Sequence, residues 1–114
     1  MADAPQEYTI FMLIEATPAW LALPPPERFG FVRTTVGPIM AAHPEVTLRY
    51  FDAEAYTARC SDVIMWQTRD LARYQSVIEN LRETLFWNHY FIVREIIPTI
   101  EDGFANHYHE NPLS

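Results

Sequence analysis

The order of its elements constrains this chain more than any motif in it. Hydrophobic periodicity reads strand, helix, strand, strand, helix, strand within 114 residues. The strands are predicted at Tyr8–Ala16, Val46–Asp52, Asp62–Gln67 and Phe91–Ile97, and the helices near Pro26–Ala42 and Leu71–Tyr90. Two strand–helix–strand halves in one open sheet make an α+β, ferredoxin-like βαββαβ fold. Its four-stranded antiparallel sheet has the order 4-1-3-2, with both helices on one face. Residues 1–114 then form a single α/β-barrel domain, with arms at about 1–7 and 105–114.

The first strand sharpens this. Tyr8-Thr9-Ile10-Phe11-Met12-Leu13-Ile14 is apolar on both sides, as expected of a central strand covered on both faces. Both helices occupy one face, so the other needs a cover. A second copy is the economical one, which predicts a homodimer of the dimeric α/β-barrel kind.

Local signals bound the elements. Pro18 and Pro24-Pro25-Pro26 forbid a long helix before Glu27, which with Pro26 makes a helix start. Phe29, Val32, Val36 and Ile39 recur at helical spacing, Gly37-Pro38 predicts a kink, and His43-Pro44 a stop. Val46, Leu48 and Tyr50 share one strand face; Thr47, Arg49 and Phe51 share the other. Asp62, Ile64 and Trp66 likewise share a face. Thr68 or Asp70 can cap the second helix, whose stripe runs through Leu71, Tyr74, Val77 or Ile78, Leu81 and Leu85. Pro98 is expected to stop the last strand.

Composition excludes several functions. A net charge of −7 argues against nucleic acid and anionic membrane surfaces as partners. All eight cations are arginine, so no lysine is present for a Schiff base. The three glycines form no phosphate-cradling loop, and no cofactor is expected. Cys60 is the single cysteine, which fits a reducing compartment. No leader-like or membrane-spanning run is visible, and the expected location is cytoplasmic.

The candidate site residues are strand-borne charges and rings. A charge on a covered strand face is costly unless paired. Arg49 and Asp62, on neighbouring strands, are expected to meet across the hairpin, as a structural ion pair or as an anion anchor beside an acid. Asp62 or Glu95 would then move a proton, with His89 as an alternative base. Trp66, Tyr50, Tyr90 and Trp87 are candidate walls of an aromatic-binding cavity, although such rings also serve as core. His107-x-His109-Glu110 has metal-like spacing but lies in a terminal arm, so no metal site is expected.

Several runs read together carry a resemblance. They are Tyr8–Ile14, Thr17-Pro18-Ala19-Trp20-Leu21-Ala22-Leu23-Pro24, and Val46-Thr47-Leu48-Arg49-Tyr50-Phe51-Asp52-Ala53-Glu54-Ala55. Ser61–Trp66, Leu81–Trp87 and Glu95-Ile96-Ile97-Pro98 complete them. From Tyr8 to Phe104 the chain resembles darcynin, a small bacterial family without a settled activity. The resemblance implies a compact α/β domain and supplies no catalytic residues. A looser similarity of fold, to cofactor-free dimeric α/β-barrel enzymes, does not set function. The expected function is that of a small-molecule enzyme: an isomerase, cyclase or monooxygenase acting on an aromatic or polyketide-like substrate without a tightly bound cofactor. The alternative is a non-catalytic ligand-binding or structural homodimer.

Overall fold

The computed structural model describes residues 6–112. Strand β1 (Tyr8–Ala16) is followed by a short helix, α1 (Pro18–Leu21), then by α2 (Pro25–Phe31), a π-helical turn (Val32–Val36) and α3 (Gly37–Ala42). A hairpin of β2 (Val46–Asp52) and β3 (Asp62–Thr68) leads to α4 (Leu71–Arg82), β4 (Phe91–Thr99) and a last helix, α5 (Gly103–His107). All pairings are antiparallel and the sheet order is β2-β3-β1-β4. This is the expected ferredoxin-like α+β arrangement, with β1 and β3 central.

Alternation decides what each face carries. Ile10, Met12 and Ile14 of β1 are buried beside Ile64 and Trp66 of β3 and Val46 of β2. Val77 and Leu81 of α4 close on them, with Phe86 and Phe91 from the chain after it. Each such side chain taken fully out of water stabilises the fold by about 1.5–3 kcal/mol. These contacts form the one large core, on the helix side of the sheet.

The helix after β1 starts one residue earlier than expected, with Pro24 as its cap. Pro38 has no N–H to give to the preceding turn. The ladder widens just upstream of it, where the Gly37 N–H donates to the Val32 carbonyl, five residues back. The predicted kink is thus a π-helical turn in an otherwise continuous helix.

Three expectations need correction. The helix expected over Leu71–Tyr90 stops at Arg82. The Thr84 hydroxyl donates to the Leu81 carbonyl (2.7 Å) and accepts the Phe86 N–H (3.1 Å), so it takes over the groups that would extend the helix. Asn88 then adopts φ 69°, a left-handed conformation asparagine tolerates, and turns the chain into β4. Second, Pro98 does not end β4 but pairs with Ile10 inside it. β4 is an edge strand, where a missing donor can face away from the ladder. Third, part of the C-terminal arm is helical, as α5. The expectations for residues 1–5, 113 and 114 lie outside the described residues.

Candidate active site

A gap in the packing lies between the α2–α3 helix and the sheet. It is a cavity of about 670 Å³. Trp20, Phe31, Trp66, Phe86 and Phe91 wall it, and Val32 and Val36 bring the π-helical turn to it. A π-helical turn displaces side chains from regular helical positions, and such turns often sit at ligand sites. The exposed Leu21, Phe29, Asp52 and Glu54 stand at its rim.

One end of this apolar space is acidic. The β2–β3 register sets Tyr50 opposite Ile64 and Asp52 opposite Asp62. These even-numbered positions all point to the helix side. Carboxylate oxygens of Asp52, Glu54 and Asp62 lie within 4.8 Å of one another. Asp62 is buried, at 7% exposure, while Asp52 and Glu54 are exposed. Like charges this close resist simultaneous ionisation. Among the described residues these three are the group that could hold a divalent cation, although exposed acids commonly cluster without one.

The neighbours of Asp62 shape its chemistry. The Ser61 hydroxyl donates to Asp62 Oδ2 (2.6 Å) and accepts the Ala16 N–H (2.8 Å), which fixes the carboxyl against β1. Burial raises the Asp62 pKa above the usual carboxylate range. A hydrogen bond shared with Asp52 and the charge of Glu54 act in the same direction, against the opposing hydrogen bonds from Ser61 and Tyr50. Burial, followed by the Asp62 charge, also pushes the Tyr50 phenol far above its ordinary value. The cavity therefore has a carboxyl and a phenol side by side, both biased toward their protonated forms. Arg28, also in the lining, spends its guanidinium on the Leu23 and Leu21 carbonyls (2.9 and 3.0 Å).

The structure thus brings Tyr50, Asp62 and Trp66 together and disperses the other candidates. Arg49 does not pair with Asp62. It faces the opposite side of the sheet beside Phe51, with its guanidinium carbon 5.3 Å from the ring centre. Directly opposed residues of an antiparallel pair share a face and alternate along the strands; Arg49 opposes Met65, whereas Asp62 lies on the other face with Ile64 and Trp66. Glu95 also leaves the cavity and binds Arg59 at 2.7 Å. The His89 ring lies exposed beside Tyr90, and its backbone carbonyl accepts the Thr17 hydroxyl (2.6 Å). Tyr90 packs behind the cavity wall, on Trp20 (5.3 Å) and Phe31 (4.9 Å). Trp87 lies under Arg82. Trp66 is 1% exposed, packs edge-on to Tyr74, and keeps a buried indole N–H without a protein partner. Asp52, Glu54 and Ser61 were missing from the expected set. Their signal was Asp52 at the hairpin's end, in the same alternation as Tyr50.

Fold and site together define the class: a ferredoxin-like α+β domain with an acid-ended aromatic cavity under its first long helix. The chain belongs to the darcynin family, described as a domain of unknown function, which matches residues 2–114. A darcynin homolog from Granulibacter bethesdensis is 44% identical over 101 residues, covering 88% of this chain and 82% of that protein. One from Streptomyces avermitilis is 41% identical over 107 residues, covering 93% and 88%. Among solved structures, a chlorite dismutase variant from Candidatus Nitrospira defluvii matches with a TM-score of 0.69 at 12% identity, over 96% of this chain and 42% of its own. A second variant, in complex with cyanide, matches with a TM-score of 0.68 at 14% identity, over 98% and 46%. This chain spans less than half the length of those chlorite dismutases, and at such identity the likeness is one of fold. Among the described residues no helix is long and apolar enough to cross a membrane.

Proposed function

We propose that this protein binds a small aromatic molecule in the cavity and moves a proton on it, with Asp62 as the acid. One observation carries the reading: a buried carboxyl that resists ionisation stands at the polar end of an aromatic-walled space. A cavity of this size suits a molecule of two or three fused rings. The fitting reaction is isomerisation, by proton transfer, at a carbon beside a carbonyl. Asp62 gives its proton to the carbonyl oxygen as the facing Asp52 removes one from carbon. From a β,γ-unsaturated ketone this gives a dienol. Asp52 then delivers its proton to the far carbon of the dienol while the enol oxygen returns its proton to Asp62, so the double bond moves into conjugation with no net redox change. Tyr50 adds a second donor to the developing oxyanion. Trp66 forms a wall. Arg49, Glu95, His89 and Trp87 have no part in this mechanism.

Three carboxyl groups at one end disfavour an anionic ligand. β-Naphthol is expected to bind and β-naphthoate to bind at least tenfold more weakly, by calorimetry. Asp52→Asn, which removes a carboxylate from that end, should narrow that gap. Catalysis is tested with α-tetralone in D₂O: wild-type protein should accelerate exchange at the carbon beside the carbonyl, and Asp62→Asn should abolish the acceleration. Binding without exchange would leave the alternative, a non-catalytic binding protein. Absence of binding by every probe sinks both. The reading also takes the protein to be cytoplasmic and a homodimer, without nucleic-acid or membrane partners, consistent with its net charge of −7.

A further inference from the structure

The sheet has a second face that its own helices leave bare. Phe11 and Leu13 of β1 stand there beside Met65 and Val63 of β3, with Phe51 at one edge and Ile97 at the other. Phe51 and Ile97 are 41% and 38% exposed. Four strands about 4.8 Å apart and about seven residues long present a planar area of roughly 440 Å². A standard interface takes roughly 800 Å² of accessible surface from each partner, so an apolar footprint of this size can form the centre of an interface whose rim comes from other parts of the chain.

The chain beyond β4 is poorly supported within one copy. The last side-chain tie to the sheet is the Thr99 hydroxyl, which donates to the Thr9 carbonyl (2.5 Å). Asp102 then takes φ 51° and reverses the chain into the five-residue α5. The backbone hydrogen bonds that follow are local, such as Asn106 N–H to Asp102 and Glu110 N–H to Ala105. A helix this short does not persist in water unaided. Phe104 and Tyr108 pack against each other in a tilted pair, ring centres 5.0 Å apart, and remain 81% and 59% exposed. The radius of gyration is 16.2 Å and the long axis 52 Å. A compact chain of this length has a radius of about 13 Å, and a nine-residue strand spans only about 30 Å.

We propose that both surfaces are halves of one interface with a second copy of this chain. Two open sheet faces pack together around a two-fold axis, and residues 100–108 of each copy lie against the other. Sheets packed face to face sit about 10 Å apart, within reach of Phe11, Met65 and Phe51. The arm supplies rim area beyond the sheet, and the partner supplies the support that α5 lacks. The inference is independent of the cavity, which opens on the opposite side of the sheet.

Sedimentation equilibrium of the full chain at micromolar concentration should give a dimer. The double substitution of Phe104→Ser with Tyr108→Ser, at positions outside the core, should raise the dimer dissociation constant at least tenfold. Phe51→Arg, on an edge strand, should do the same while circular dichroism shows an intact fold. β-Naphthol should still bind both variants if the cavity reading holds. A wild-type monomer overturns the proposal. A dimer indifferent to the arm substitutions overturns the role of the arm, and one indifferent to Phe51→Arg overturns the role of the sheet face.

Discussion

The two faces of this sheet are built from the same strands and differ only in which alternate residue each receives. On the closed face Met12, Ile14 and Trp66 are almost wholly buried, and Asp62 is buried among them. On the open face Phe11, Leu13, Val63 and Met65 are half-buried, while the charged Arg49 and Glu95 stand exposed at its edges. The closed face is satisfied within one chain except at its cavity. The open face is not. Burial under a helix raises the pKa of the Asp62 carboxyl, whereas a carboxyl on the open side, Glu95, forms an ordinary surface ion pair. Two carboxyl side chains of one sheet thus acquire different chemistry from the face that each reaches.

The contrast is tested most severely at adjacent residues of β3. Trp66→Ala should cost about 3–5 kcal/mol by urea unfolding, because it empties a fully enclosed site. Met65→Ala, one residue away and half-buried, should cost no more than about half of that at equal protein concentration. Equal losses would mean that the open face is as tightly packed as the core.

The pH dependence of stability sharpens the same contrast. Asp62 keeps its proton to higher pH in the folded chain than in the unfolded one. Between the ordinary carboxyl value of about 3.9 and its raised value, the folded state holds the extra proton, so this group makes stability fall as pH rises. Below that window the penalty is absent, and above it the penalty is complete. Asp62→Asn should remove a slope of at most about 1.4 kcal/mol per pH unit in chemical unfolding. A variant with an unchanged profile would show that burial does not hold the proton.

Smaller effects mark positions away from both faces. Asp70 caps α4 through its side chain, which accepts the Arg73 N–H at 3.1 Å, so Asp70→Ala should cost about 1 kcal/mol. Arg59→Ala, which breaks the exposed pair with Glu95, should cost under about 0.5 kcal/mol in thermal or chemical unfolding. A larger loss would place this pair inside the interface proposed above rather than at its rim.

Much of this was legible in the residues. The continuous apolar run of β1 required a central strand, and it is central. Asp62, Ile64 and Trp66 were placed on one face by alternation alone, and Tyr50 on the face of Leu48. The Arg49–Asp62 pair was misread because proximity of strands was taken without the register, which opposes Arg49 to Met65. The short α4 was misread because Leu85 and Phe86 continue its apolar spacing, while a single hydroxyl, Thr84, ends the helix.

The sequence by itself determined the order of strands and helices, the faces of β2 and β3, and the central place of β1. These follow from local alternation and burial, which are properties of neighbouring residues. Only the tertiary structure decided that the helix stands off the sheet far enough to leave a cavity, and that Asp52, Glu54 and Asp62 converge at its end. Convergence of residues from a strand end, a loop and a second strand depends on the hairpin's register and on the packing of a distant helix. Those are set by the whole fold at once, and no local pattern encodes them.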